Sequence, residues 1–91
     1  MYRLEVSPAA DRDLERLKQR IRRHDFERLQ TAVRGLVNEP RAQGARKIKG
    51  TETAYRIRAG NYRAVYEIYD NENLVSILQV ARRTETSYRP Q

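Results

Sequence analysis

The sequence contains no cysteine, no tryptophan and a single histidine, His24. The absence of cysteine excludes disulfide bonds, thiolate zinc sites and cysteine nucleophiles. One histidine does not build a metal site or a serine-type catalytic triad, because both need several imidazole or carboxylate groups. The composition therefore argues against these metal sites and nucleophiles, and we expect no cofactor.

Long apolar runs are also missing. No stretch approaches the roughly 20 apolar residues that a membrane span requires, and no signal-peptide core follows Met1. Only 38% of the 91 residues are hydrophobic and 34% are charged, which leaves material for one small core. We expect a single soluble, cytoplasmic domain over residues 1–91, with no membrane partner.

Positive charge is what the sequence has in excess. Nineteen Lys and Arg residues oppose twelve Asp and Glu residues, which gives a net charge of +7 and a pI near 10.2. Sixteen of the cations are arginine, and seven cations but only one anion, Glu52, lie between Arg41 and Arg63. Because the planar guanidinium group matches phosphate well, this segment predicts binding to nucleic acid or to an acidic protein.

The first forty residues predict a strand and a helix hairpin. Alternation over Tyr2–Val6 is typical of a short strand, and Ser7 with Pro8 is typical of a helix start. We expect Asp25 to cap a second helix and Pro40 to end it. The apolar stripes of the two helices are Ala10, Leu14, Leu17 and Ile21, then Phe26, Leu29, Val33, Leu36 and Val37. Stripes of this width predict helices that cover a sheet.

The rest of the chain predicts a small sheet. Residues 41–53 read as a basic loop with a short extended piece at Arg46–Lys49. Three alternating runs then follow, separated by turn residues at 60–61 and 70–73. These runs are Ala54–Ala59, Tyr62–Tyr69 and Leu74–Ala81. Together with the helices they predict an α+β fold with two helices on one face of a largely antiparallel sheet, ending in a polar tail.

Strand alternation predicts which side chains share a sheet face. If Tyr55 and Ile57 face the helices, the residues between and beside them face away. The last strand would then place Leu74, Leu78 and Val80 in the core. The outward set is Arg56, Arg58, Arg63 and Arg83. Four neighbouring guanidinium groups repel one another, so we expect an anion to bind there, although arginine also serves as a long amphipathic filler on half-exposed strands.

One stretch of the sequence resembles a known family. The segment YRIRAGNYRAVYEI, preceded by KIKG and followed by ILQVARR, resembles the RelE/ParE superfamily of bacterial toxins from type II toxin–antitoxin modules. The resemblance implies the same order of strand, helix hairpin, three-stranded meander and tail. It is closer to the RelE-like branch, whose members enter the ribosomal A site and cut mRNA with the substrate's own 2′-hydroxyl, without metal. The ParE-like branch shares the scaffold and inhibits DNA gyrase instead.

The resemblance also implies roles for particular residues. Arg63 and Arg83 would stabilise the charge that builds on the phosphate, while Arg56 and Arg58 would bind the backbone and neutralise the leaving group. Tyr88 would stack on or orient a base. Residues implied in further contacts with nucleic acid are Arg46, Lys47, Lys49 and Arg82. Arginine is not a general base, so the only tail groups able to move a proton are Tyr88 and Glu85.

Partners and rival functions follow from the same resemblance. A toxin of this kind implies a cognate antitoxin, whose acidic or amphipathic segment would cover the helix hairpin and the basic residues in a hetero-oligomer, besides the ribosome and mRNA. The leading hypothesis is a ribosome-dependent mRNA endoribonuclease that inhibits translation. A gyrase inhibitor without nuclease activity and a non-catalytic nucleic-acid-binding module are the alternatives.

Overall fold

Five strands form one sheet in the order β1-β5-β4-β3-β2, in a computed structural model that describes residues 1–83. The strands are β1 (Arg3–Val6), β2 (Arg46–Lys47), β3 (Ala54–Ala59), β4 (Tyr62–Tyr69) and β5 (Leu74–Arg82). β1 runs parallel to β5, and the other neighbouring strands are antiparallel. The predicted α+β class and the meander of β3, β4 and β5 are confirmed, while the parallel position of β1 adds a pairing that the sequence did not predict.

Two helices connect the first strand to the rest of the sheet. Helix α1 (Pro8–Arg20) begins as predicted, because the Ser7 hydroxyl accepts a hydrogen bond from the amide of Ala10 at 3.1 Å. Helix α2 (Arg23–Gly35) follows almost at once. No helix within residues 1–83 is long and apolar enough to cross a membrane.

Both predicted limits of helix α2 are wrong. The helix begins at Arg23, with Arg22 in the capping position and without a side-chain cap. Asp25 lies inside the first turn instead, where its negative charge interacts favourably with the positive end of the helix dipole. The helix ends at Gly35, and a turn separates it from Pro40. Pro40 is therefore not the residue that stops it.

The core lies between the helices and one face of the sheet. Its helical members are Ala10, Leu29 and Val33, and Leu36 joins them just after α2. Its strand members are Ile57, Tyr62, Ala64, Tyr66, Ile68, Val75, Ile77 and Val80. Tyr66 is fully buried, and its hydroxyl donates a hydrogen bond to the Pro40 carbonyl at 2.6 Å. That bond satisfies the one polar atom of a large aromatic side chain in the core.

The predicted core set of β5 is wrong at Leu78. Leu78 has no partner in β4, because Gln79 pairs with residue 65 and Ile77 with residue 66. This extra residue is a β-bulge, which reverses the alternation on either side of it. Val75 and Ile77 therefore join Val80 in the core between helices and sheet, whereas Leu78 is only half-buried. Leu74 is buried as predicted, although it does not belong to that cluster.

Candidate nucleic-acid interface

The register of β3 and β4 brings arginine side chains together. Arg58 stands directly opposite Arg63, and Arg56 stands opposite Val65 two positions further along. Paired residues in neighbouring strands point to the same side of a sheet. The pairing therefore places Arg56, Arg58 and Arg63 on one face, as the alternation predicted.

Two more arginines join this group. Arg46 in the edge strand β2 pairs with Arg56. Arg83 follows β5, where its amide donates to the carbonyl of Asn61 at 2.8 Å and its Nη1 lies 3.4 Å from the carbonyl oxygen of Gly60. These bonds fasten Arg83 to the turn between β3 and β4. We refer to the five residues together as the basic face: Arg46, Arg56, Arg58, Arg63 and Arg83.

The pKa of Arg58 reflects the concentration of positive charge on the basic face. Repulsion from Arg56, then from Arg83, lowers the pKa of the exposed Arg58 guanidinium, and Arg46 adds to the effect. Within residues 1–83, neither Arg56 nor Arg58 has a carboxylate within 4.0 Å. An anion bound between these groups would relieve the repulsion, as expected of a phosphate-binding surface.

Two depressions lie along the basic face. The larger encloses about 570 Å³ and is lined by Arg58, Asn61, Tyr62, Arg82 and Arg83. The smaller encloses about 290 Å³ and is lined by Lys47, Ile48, Lys49, Arg56, Arg63 and Val65. The four residues predicted as additional contacts with nucleic acid thus lie in or beside the arginine group.

The basic face is less open than the sequence suggested. Arg56 and Arg63 are half-buried. Val65, which lies opposite Arg56 and two residues after Arg63 on the same face, is only 2% exposed. The segment 47–49 lies alongside and shares the smaller depression with them. Arg58 and Arg83 are exposed, so the accessible part of the face is centred on the end of the β3–β4 hairpin.

Arg41 belongs to the cationic stretch of sequence but not to the basic face. Its Nη1 and Nη2 donate to the two carboxylate oxygens of Asp70 at 3.2 and 2.8 Å. Its Nε donates to the hydroxyl of Tyr55 at 3.2 Å, and its guanidinium lies over that ring at 5.5 Å from the centroid. This cation therefore joins the loop after α2 to the far end of the sheet.

Helix α2 contributes a residue that the sequence analysis missed. A Cβ atom at Gly60 would lie 3.6 Å from Nη1 of Arg28, so this side chain reaches over the β3–β4 turn. Gly60 has φ +62°, a conformation that favours glycine. The two residues are 32 positions apart in the sequence, so no local sequence pattern predicts that they lie close together.

Two predicted site residues, Tyr88 and Glu85, lie outside the described residues. Within residues 1–83, no group of three or more His, Cys, Asp or Glu side chains is arranged to hold a metal ion. What the described part of the site offers chemically is a set of fixed positive charges that bind and stabilise an anion.

The comparisons with known proteins define the class of protein. Residues 4–86 match the family model described as "ParE toxin of type II toxin-antitoxin system, parDE". The chain is 34% identical over 88 residues to Toxin RelE of Mycobacterium tuberculosis (strain ATCC 25618 / H37Rv), a match that covers 97% of this chain and 87% of that protein. The chain therefore belongs to the ParE toxin family, within the RelE/ParE superfamily, and is a RelE-like toxin of a type II toxin–antitoxin system.

Solved structures share the fold. The toxin–antitoxin complex RelBE2 from Mycobacterium tuberculosis superposes with a TM-score of 0.73 at 25% identity, covering 90% of this chain and 98% of the other. A metal-bound toxin from Helicobacter pylori gives a TM-score of 0.74 at 25% identity, covering 94% and 99%. The first of these relatives was solved as a complex of a toxin with its antitoxin.

Proposed function

We propose that this toxin is an endoribonuclease that cuts mRNA in the ribosome and thereby inhibits translation. The observation that carries the proposal is the exposed Arg58, held opposite Arg63 and close to Arg83, with a pKa lowered by its arginine neighbours. A surface that concentrates guanidinium groups in this way suits a phosphate that gains negative charge during a reaction. The similarity to Toxin RelE along 97% of the chain supports the RelE-like activity.

The proposed reaction uses the RNA's own 2′-hydroxyl. Its oxygen forms a bond to the adjacent phosphorus, and the bond from phosphorus to the 5′-oxygen breaks. The electron pair leaves with the 5′-oxygen, which takes up a proton, so the products are a 2′,3′-cyclic phosphate and a 5′-hydroxyl. Arg63 and Arg83 stabilise the charge on the phosphate oxygens, while Arg56 and Arg58 hold the backbone and neutralise the leaving group.

The proton of the 2′-hydroxyl needs an acceptor. Arginine keeps its proton at any physiological pH, so the basic face itself does not serve as the base. We assign this task to Tyr88 or Glu85 in the tail, with Tyr88 also stacking on a base of the message. A guanidinium group close to the phenol would favour its ionised form by charge attraction and would bring the tyrosine pKa closer to the working pH. Without such help the enzyme would depend on orientation by the ribosome.

The proposal includes two kinds of partner. Arg46, Lys47, Lys49 and Arg82 would contact RNA beside the cleaved bond, because they lie in or beside the depressions of the basic face. A cognate antitoxin would inhibit the toxin by placing an acidic or amphipathic segment over the helices and the basic face. The solved complex of a related toxin with its antitoxin supports this second partner.

Inhibition of DNA gyrase without nuclease activity is the second candidate function. The match of residues 4–86 to the ParE toxin model favours it. A gyrase inhibitor acts by protein–protein contact, so its activity would not require a group that moves a proton in the tail.

Mapping of mRNA ends after induction of the toxin in cells separates the two functions. The endoribonuclease is expected to give new ends inside translated messages, in phase with the codons. Induction of Arg63→Ala at equal protein level should give none of these ends, and Arg34→Ala, an exposed arginine of helix α2, should behave as the unmodified toxin. Growth arrest with a DNA-damage response and intact messages would support gyrase inhibition and contradict the proposal.

A further inference from the structure

A third depression continues the basic face around the end of the β3–β4 hairpin. It encloses about 490 Å³ between helix α2 and the hairpin. Arg58 lines both this depression and the larger one on the basic face, so the two are contiguous. The helix side of the depression, which we call the helix groove, is formed by His24, Glu27, Arg28, Thr31 and Ala32.

Arg28 is the main charge of the helix groove. It is exposed, its guanidinium lies against the turn at Gly60, and within residues 1–83 it has no carboxylate within 4.0 Å. The one acidic residue in the groove, Glu27, is paired with Arg23, which lies outside the groove, at 3.5 Å. The net charge presented beside Arg28 is therefore positive.

The Arg28 guanidinium also lies beside the turn. Its Nη1 would be 3.6 Å from a Cβ atom at position 60, an ordinary van der Waals distance, while the side chain stays exposed to solvent. At the same turn, Nη1 of Arg83 lies 3.4 Å from the Gly60 carbonyl oxygen. Two cations thus lie at one hairpin end, and Arg58 lines both depressions.

We propose that the helix groove binds the phosphate backbone of the RNA strand that leaves the basic face, with Arg28 as the main contact and Thr31 as a hydrogen-bond donor. This inference rests on the proposed RNA binding of the basic face and extends it to a second phosphate subsite. A strand held on Arg58 continues into the groove without crossing an unpaired negative side chain among the residues described. Each phosphate contact of this kind strengthens binding mainly by releasing counterions.

Binding of fluorescently labelled single-stranded RNA to the purified full-length toxin tests the subsite. Two probes are compared, of about 3 and about 12 nucleotides, since only the longer one can extend beyond a single depression. Arg28→Ala is expected to weaken binding of the longer RNA several-fold and to reduce the slope of log affinity against log salt by about 0.7. It should leave the shorter RNA unaffected, and Arg28→Lys should keep most of the slope.

Two control variants make the outcomes distinct. Arg34→Ala removes the same charge from an exposed residue of helix α2 that does not line the groove, and it should bind both probes as the unmodified toxin does. If Arg28→Ala is indistinguishable from Arg34→Ala on the longer RNA while Arg58→Ala weakens both probes, the helix groove is not a subsite and the basic face stands. If Arg58→Ala also changes nothing, the RNA binding on which the proposed function depends is itself contradicted.

Discussion

The carboxylate of Asp13 accepts a hydrogen bond at 3.0 Å from the backbone amide of Val80, linking helix α1 to strand β5. The bulge at Leu78 interrupts the ladder between β4 and β5 just before this residue. The Ser7 hydroxyl donates to the carbonyl of Leu78, the bulge residue itself, at 3.2 Å. The N-cap residue and the second turn of helix α1 are thus both tied by hydrogen bonds to the part of β5 that leads to Arg83.

Removal of the Asp13 carboxylate should destabilise the fold. Asp13→Ala leaves the Val80 amide without this partner in a part-buried position, so the free energy of unfolding should fall by about 1–3 kcal/mol. Urea denaturation followed by circular dichroism measures this. Glu15→Ala, an exposed carboxylate on the same helix, is the control and should change stability by less than about 0.5 kcal/mol. Equal midpoints for the two variants would show that the bulge needs no support from α1.

Asp70 should make stability depend on acid. Hydrogen bonds from Arg41 and then from Tyr2 lower the pKa of the Asp70 carboxyl in the folded protein. A carboxyl group with a lowered pKa stabilises the folded protein at pH values above the ordinary aspartate pKa of about 4. That stabilisation is lost as the pH falls through the pKa of the folded protein. The unmodified toxin should therefore lose more stability than Asp70→Asn between about pH 5 and about pH 2.

The comparison needs urea midpoints for both proteins at each pH. At neutral pH the Asp70→Asn variant should be less stable than the unmodified toxin, because the carboxylate that pairs with Arg41 is lost. The two curves should approach each other as the carboxylate protonates. Parallel curves across the whole acid range would contradict a role for this contact in folding.

Tyr66 should limit stability in alkali. Burial raises the pKa of this phenol to about 12, so folding favours the neutral form. The contribution of the neutral phenol to stability is complete at pH values below the ordinary tyrosine pKa of about 10. It is lost as the pH rises from there through the pKa of the folded protein. Tyr66→Phe removes this contribution, and its unfolding free energy should decline less steeply above about pH 10.

The same Tyr66→Phe variant should be weaker at neutral pH. Loss of the hydrogen bond to the Pro40 carbonyl is expected to cost about 0.5–1.5 kcal/mol. Urea denaturation at pH 7 and in alkali gives both quantities from one protein. If the unfolding free energy of Tyr66→Phe falls above about pH 10 as steeply as that of the unmodified toxin, the buried phenol does not cause the loss of stability in alkali.

Period-two alternation and turn chemistry predicted most of the sheet. The bounds of β3 and β4 agree with the predicted runs because Gly60 marks the turn between two regularly alternating segments. The bulge at Leu78 could not be predicted, because the segment around it contains no glycine or proline and alternates acceptably in either register. The consequence was the wrong inward-facing set for β5.

The contacts that were missed join residues far apart in sequence. Arg41 and Asp70 are 29 positions apart, so the charge count placed Arg41 with the cations of the basic face. Arg28 has the sequence pattern of an ordinary exposed helix residue, and only its position beside the β3–β4 turn distinguishes it. Local patterns predicted which strand residues share a face, whereas tertiary packing decides which helix and loop cations reach that face.

Tyr88 variants separate stacking from proton transfer. Tyr88→Ala should lose both, and loss of stacking alone costs roughly 1–3 kcal/mol per base. If the hydroxyl moves a proton, Tyr88→Phe should be as strongly impaired as Tyr88→Ala in cleavage of ribosome-bound mRNA. If the ring only stacks, Tyr88→Phe should remain near the unmodified toxin. Full activity of Tyr88→Ala would remove this residue from the site.

Cleavage by purified components tests the proposed activity most directly. Purified full-length toxin is added to ribosomes programmed with a defined end-labelled mRNA, and the products are resolved by length and by their terminal groups. The account predicts cuts at a fixed position relative to the codon in the A site, ending in a 2′,3′-cyclic phosphate. Arg63→Ala and Arg83→Ala should abolish the cuts while both variants keep a cooperative thermal unfolding transition. An intact message with folded, unmodified toxin and active ribosomes would contradict the endoribonuclease assignment.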